Sequence, residues 1–169
     1  MKQEIAATAL VLAAALTGCG PGKVAVQGKV AAQEIATQLG TGSDDVSRWI
    51  AKNADAAGTT VDDTATTWRS RIASTPRATG IPRTFATETA CGALSDILFT
   101  DRADDPLTVN GVLAAVVEAV GSANGTSYGT YRSLKSEVDG ITQQVAEGKP
   151  VYLELILLRQ TYCAVALGR

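Results

Sequence analysis

The sequence of residues 151–167 reads VYLELILLRQTYCAVAL, in which Glu154, Arg159 and Gln160 interrupt a stretch that is otherwise apolar on almost every side. Residues 151–158 alone have the composition of a buried strand. A helix is favoured because the apolar stretch is long and no second strand is evident in the chain. A helix that is apolar all round is buried, so we expect residues 151–167 to form a central helix. The charged residues make it a poor membrane span.

The first half of the chain has the spacing of amphipathic helices. Residues 24–39 carry one apolar stripe, which Gly28 weakens. A second helix is expected after Ser43, the predicted N-cap, and Gly58 is its stop signal. Thr60 and Asp63 resemble a capping box for a third helix. Its inward residues step by four, three and four positions, as one buried face requires: Val61, Ala65, Trp68 and Ile72.

The second half continues this pattern after the loop of residues 74–83, which contains two prolines and a glycine. The spacing predicts a helix from about Thr84 to Phe99, with Phe85, Cys91, Leu94 and Leu98 facing inward. Asp105 and Pro106 are the expected N-cap and first residue of the next helix. The most regular apolar spacing follows, at Tyr131, Leu134, Val138, Ile141 and Val145. We therefore predict an all-α fold, a single compact bundle of about six helices over residues 24–169.

A targeting segment is indicated at the beginning of the chain. Lys2 precedes an apolar run over residues 5–16, which is too short to span a bilayer core that needs about 20 residues. Leu16-Thr17-Gly18-Cys19 follows, and this stretch resembles the lipobox of bacterial lipoproteins. The resemblance covers only residues 1–20. It implies a signal peptide over residues 1–18 that is cleaved before Cys19, a thioether-linked diacylglycerol on Cys19 and an acylated amino terminus. Residues 19–23 are then the lipidated cysteine and a short tether.

The lipoprotein resemblance assigns one of the three cysteines to lipid and leaves Cys91 and Cys163. Disulfides persist in exported proteins, so we expect these two residues to form a bond. Two buried free thiols are the alternative, because cysteine also packs well in cores. Cleavage would leave 169 − 18 = 151 residues, enough for one domain of ordinary size.

The composition excludes several classes of function. The formal net charge is −2, which argues against nucleic acid as a partner, since such proteins carry basic surfaces. There is no histidine, so catalytic triads, histidine metal ligands and a histidine pH switch are excluded. Paired aspartates at predicted helix starts are explained by capping. A calcium site at Asp101, Asp104 and Asp105 lacks the spacing of a known calcium loop. We therefore expect that the protein is not an enzyme and binds neither a cofactor nor a metal ion.

Four arginines surround the proline-containing loop: Arg69, Arg71, Arg77 and Arg83. Guanidinium groups suit phosphates and carboxylates, so these residues are a candidate surface for an anionic partner. Ordinary solvation is the alternative interpretation.

These observations predict a lipid-anchored helical interaction module on the extracytoplasmic face of the cell membrane, binding an envelope or membrane partner. Phage and prophage exclusion lipoproteins share this plan of a small anchored helical domain, an analogy of architecture only. The alternative is a carrier of a small ligand or lipid, with an apolar pocket between the helices of residues 107–120 and 151–167. A hydrolase without histidine would require carboxylates that converge in a cleft, or a Ser–Lys pair.

Overall fold

Seven α-helices and one short 3₁₀-helix account for most of the chain that the computed structural model describes, namely residues 21–76, 81–100 and 102–168. The helices are α1 (Pro21–Leu39), α2 (Ser43–Ala57), α3 (Val61–Ser74), α4 (Phe85–Phe99), α5 (Pro106–Ser122), α6 (Tyr128–Ala146) and α7 (Tyr152–Tyr162). The 3₁₀-helix, Arg102–Asp104, joins α4 to α5. These residues contain no strand, which confirms the all-α prediction.

Helix α7 is central, as the sequence predicted. It packs against α3, α4 and α6. Seven of its eleven residues are buried: Tyr152, Leu153, Leu155, Ile156, Leu158, Arg159 and Tyr162. The prediction that the helix continues to residue 167 was wrong. The helix ends at Tyr162, Cys163 is its C-cap, and residues 163–168 form turns.

A single core joins the two halves of the chain. Helices α1, α2 and α3 pack on one another, and α5 packs against both α4 and α6. Helix α7 contacts both groups, through α3 on one side and through α4 and α6 on the other. One continuous cluster of buried apolar residues includes members of all seven helices. The prediction of a single compact bundle is therefore confirmed, with seven α-helices in the described part of the chain where about six were expected.

The helix ends follow capping chemistry, with small departures from the predictions. Asp105 and Pro106 begin α5 as expected, and Gly58 ends α2 in the left-handed conformation. The N-cap of α2 is Gly42 rather than Ser43. Helix α1 begins at Pro21, three residues earlier than expected, so it includes most of the predicted tether.

Phe85 was predicted to face the core, and this was wrong. Its side chain is 86% exposed. Val61, the first residue of α3, was also predicted to face inward and is 46% exposed. Thr84 and Thr87 form a capping box, so Phe85 is the first residue of α4. It lies six residues before the buried Cys91, which at 3.6 residues per turn places the two on different faces.

A disulfide bond connects Cys91 of α4 to Cys163 at the end of α7. Their Cα atoms are 5.5 Å apart, and neither residue is exposed. The bond therefore fixes the central helix to α4 across a sequence separation of 72 residues.

Replacing both bonded cysteines, Cys91→Ala with Cys163→Ala, should lower the free energy of unfolding by about 4 kcal/mol, because the unfolded chain loses a long closed loop. Urea denaturation followed by circular dichroism measures this difference. The control is Cys19→Ala, which lies outside the bond and should leave the stability unchanged. A loss below about 1 kcal/mol in the double variant would contradict the expected role of the bond.

Helices α5 and α6 approach closely at Gly121. A methyl group at this position would lie 2.7 Å from Cε2 and 3.1 Å from Cδ2 of the Tyr131 ring. The first distance is well inside van der Waals contact, so only glycine fits without a shift of the ring. Gly111, in the same helix, has no atom within 4 Å of such a methyl group.

Gly121→Ala should therefore destabilise the protein by about 1 to 3 kcal/mol through overpacking. The matched variant Gly111→Ala should stabilise it by as much as about 1 kcal/mol, because alanine favours a helix over glycine. Thermal and urea unfolding of both variants gives the comparison. If the two substitutions had the same effect, the close contact with Tyr131 would not be responsible.

Candidate functional site

Several residues singled out from the sequence lie outside the described part of the chain. They are Cys19 with the predicted signal peptide of residues 1–18, Arg77, and Asp101. Within the described residues, none of the helices has the length and apolar character needed to cross a membrane.

The other three arginines of the candidate anionic-partner surface each pair with a carboxylate of the same chain. Arg69 lies 3.2 Å from Glu34 of α1, and Arg71 lies 3.6 Å from Glu154 of α7. Arg83 pairs with Glu88 of α4. All three arginine side chains are about half exposed or more. Their positive charge is thus compensated locally while the guanidinium groups stay accessible.

The paired aspartates do not converge on a cleft. The backbone N–H of Asp63 donates to Thr60 at the start of α3, and Asp45 pairs with Arg48 within α2. Asp105 accepts hydrogen bonds from Thr108 and from the backbone of Leu107. The Thr108 hydroxyl is the main cause of a lowered Asp105 pKa. Over residues 21–76, 81–100 and 102–168, no group of three or more potential metal ligands occurs.

A second polar cluster surrounds Tyr152 at the start of α7. Trp49 of α2, which is buried, stacks on the Tyr152 ring, with centroids 5.4 Å apart. Lys52 donates a hydrogen bond of 3.3 Å to the Tyr152 hydroxyl and pairs with Asp104 of the 3₁₀-helix. Burial raises the pKa of Tyr152 to about 12, so the phenol stays protonated at neutral pH. The bond to Asp104 is the main cause of a raised Lys52 pKa. This cluster ties three elements together, and the Tyr152 phenol and the Lys52 ammonium group both stay protonated at neutral pH.

A polar groove of about 370 Å³ lies on the surface where the end of α3 meets α6 and α7. Its charged residues are Arg71, Glu137 and Glu154. Glu137 accepts a hydrogen bond of 2.9 Å from the hydroxyl of Tyr162, which is buried. Burial is the main cause of a raised Tyr162 pKa, and the contact with Glu137 adds to it. We call this region the polar groove.

The polar groove was not found from the sequence. Glu154 could have been singled out from the sequence, because it is a charged residue in an otherwise apolar stretch. Glu137 is one of many exposed charges on α6, and nothing in its local pattern distinguishes it. Only the packing of α6 against α7 brings Glu137 and Glu154 into one groove.

A second groove, of about 380 Å³ and mainly apolar, lies between α4 and α5. It is lined by Phe85 and by small residues of both helices, with Glu118 as its charged member. Leu107, near the start of α5, is 84% exposed. Phe85 and Leu107 are the two most exposed large apolar side chains among the described residues.

The carrier hypothesis requires an enclosed pocket between α5 and α7. Four grooves of about 210 to 380 Å³ occur on the described residues, and each opens to solvent. None of these four is lined by both α5 and α7. They therefore give no support to a carrier built around those two helices.

No protein-family model, curated protein or solved structure matches this chain, so these comparisons assign it to no family.

Proposed function

We propose that this protein is a lipid-anchored, extracytoplasmic interaction module, in which a helical domain binds a partner in the envelope or membrane. The observation that carries the proposal is the stretch Leu16-Thr17-Gly18-Cys19 after a short apolar run, which resembles a lipobox. A diacylglycerol together with an acylated amino terminus supplies more than one chain, which gives stable anchoring.

The disulfide bond supports the proposed extracytoplasmic location. The chain has three cysteines, and two of them, Cys91 and Cys163, are bonded to each other. Cys19 is the remaining thiol and is therefore available for lipid. A structural disulfide is also typical of proteins outside the cytoplasm, where the bond persists.

A role in binding rather than catalysis agrees with the described surface. Histidine is absent from the sequence, Asp105 caps α5, and Asp45 pairs with Arg48. Open grooves are present instead, and such surfaces can contact a partner. Phage and prophage exclusion lipoproteins, which block an incoming phage, also consist of a small helical domain on a lipid anchor. The analogy concerns this architecture only.

The anchor is tested by feeding labelled palmitate to bacteria that express the full chain. The wild-type protein should incorporate the label and sediment with membranes, because Cys19 carries the lipid. Cys19→Ala should be unlabelled. The control is the double variant Cys91→Ala, Cys163→Ala, which should be labelled like the wild type. Intact-mass spectrometry that finds a full-length, unmodified wild-type chain in the soluble fraction would refute the proposal.

The arginine surface is tested with vesicles that contain phosphatidylglycerol, in the Cys19→Ala background so that no lipid anchor contributes. Exposed ion pairs are worth only about 0 to 1 kcal/mol, so Arg83 can exchange Glu88 for an anionic partner. Arg77→Ala with Arg83→Ala should weaken binding about tenfold or more, since each basic residue near such a surface contributes about 1 kcal/mol.

The matched control for this experiment is Arg48→Ala with Arg132→Ala, which removes the same charge from α2 and α6. If both double variants lost the same affinity, only net charge would matter, and the assignment of a surface to Arg77 and Arg83 would be dropped.

A further inference from the structure

We propose that the polar groove between the end of α3, α6 and α7 is a binding site for a neutral, hydroxyl-rich oligosaccharide, such as a glycan strand of the cell envelope. The choice of an envelope glycan rests on the proposed function, because it names the class of partner that the anchored module would meet. The chemistry of the groove itself is independent of the anchor.

The volume and shape suit a short piece of an extended polymer. The groove measures about 370 Å³ and opens to solvent. Small-molecule sites span about 300 to 1,000 Å³, so the groove is at the lower end of that range. An open groove allows a strand to continue beyond the site at both ends, whereas an enclosed pocket would not.

The charges disfavour an anionic ligand. The groove has two carboxylates, Glu137 and Glu154, and one guanidinium group, Arg71, so it carries one net negative charge that would repel an anion. A lysine-rich or arginine-rich peptide would be attracted by this charge, but its charged groups only donate hydrogen bonds and would leave the donors of the groove unmatched. A neutral ligand that both donates and accepts hydrogen bonds avoids this mismatch, and the cationic peptide is the competing outcome of the test.

The hydrogen-bonding groups favour hydroxyls. Carboxylates only accept hydrogen bonds, guanidinium groups only donate them, and an amide does both through separate atoms. The groove supplies all three kinds, with Gln144 as the amide, together with the side-chain hydroxyls of Thr75, Ser136 and Thr161. A saccharide hydroxyl both donates and accepts, so neighbouring hydroxyls can satisfy such a mixed set. Bonds to the ionised groups are the stronger ones.

The freedom of both carboxylates is restricted before any ligand arrives. Glu137 accepts a hydrogen bond from the hydroxyl of the buried Tyr162, and the Glu154 side chain is only 20% exposed. Each carboxylate has two oxygens and several lone pairs, so one existing contact leaves acceptor capacity for a ligand. Fixed acceptors lower the ordering penalty of binding.

Part of the groove lining is apolar. Ile141 is buried at 4% exposure, and the partly buried Leu157 and the exposed Pro76 line the same space. One face of a pyranose ring presents C–H groups, which lose contact with water when they pack on apolar side chains. A lining with both apolar and polar side chains thus suits a sugar ring.

The test uses the full chain, purified in a zwitterionic detergent without a sugar headgroup, and a neutral β-linked N-acetylglucosamine tetramer as the probe. Two-dimensional NMR titration to about 10 mM should shift the amide signals of α6 and α7 around the groove. Gly140→Leu should abolish these shifts, because residue 140 lines the groove and a side chain there enters open space. Glu154→Gln should weaken binding about tenfold or more, since a charged acceptor is lost.

The matched controls are Gly111→Leu, at a helical glycine with equally open surroundings on α5, and Glu118→Gln, in the apolar groove. Both should bind the tetramer like the wild type. Absence of shifts with the wild-type protein, unaltered binding by Gly140→Leu, or stronger shifts with a lysine-rich peptide would each overturn the proposal. Labelling of Cys19 by palmitate is measured separately, so a failure here is distinguishable from a failure of the proposed anchoring.

Discussion

Burial of α7 is the constraint on which the remaining architecture depends. Tyr152, Leu155, Ile156 and Leu158 are inaccessible to solvent, and each fully buried apolar side chain of this size contributes about 1.5 to 3 kcal/mol. Because α7 contacts α3 as well as α4 and α6, it gives the two halves of the chain a shared core. The disulfide bond holds one end of this helix, and the stack of Tyr152 on Trp49 holds the other.

Much of the fold could be predicted because helix periodicity and capping are local properties. The spacing from Leu134 to Val145 identified the buried face of α6, and Asp105 with Pro106 marked the start of α5. The errors arose at helix ends, where tertiary packing competes with the local pattern. Phe85 is apolar but begins a helix outside the buried stripe, and α7 ends at Tyr162 although the apolar sequence continues.

The candidate sites were less predictable. The pairing of Cys91 with Cys163 followed from elimination and was confirmed. The polar groove, in contrast, is assembled from three helices, and no local pattern indicates that Glu137, Glu154 and Arg71 share one space. The arginine group was visible as a run in the sequence, but its three described members have partners on α1, α4 and α7 that only the packing reveals.

If the chain is exported, as proposed, the separation of 72 residues between the bonded cysteines has a kinetic consequence. A chain that emerges from its amino terminus exposes Cys91 well before Cys163, and throughout that interval Cys19 is the other thiol in reach. Oxidation of Cys19 and Cys91 to a disulfide, with a disulfide-bonded oxidant of the compartment taking up the two electrons and two protons, would trap a mispaired intermediate. Attachment of a lipid through the sulfur of Cys19, as proposed, removes that competitor. Early acylation would then act as a protecting group and leave the native bond as the sole oxidation product within one chain.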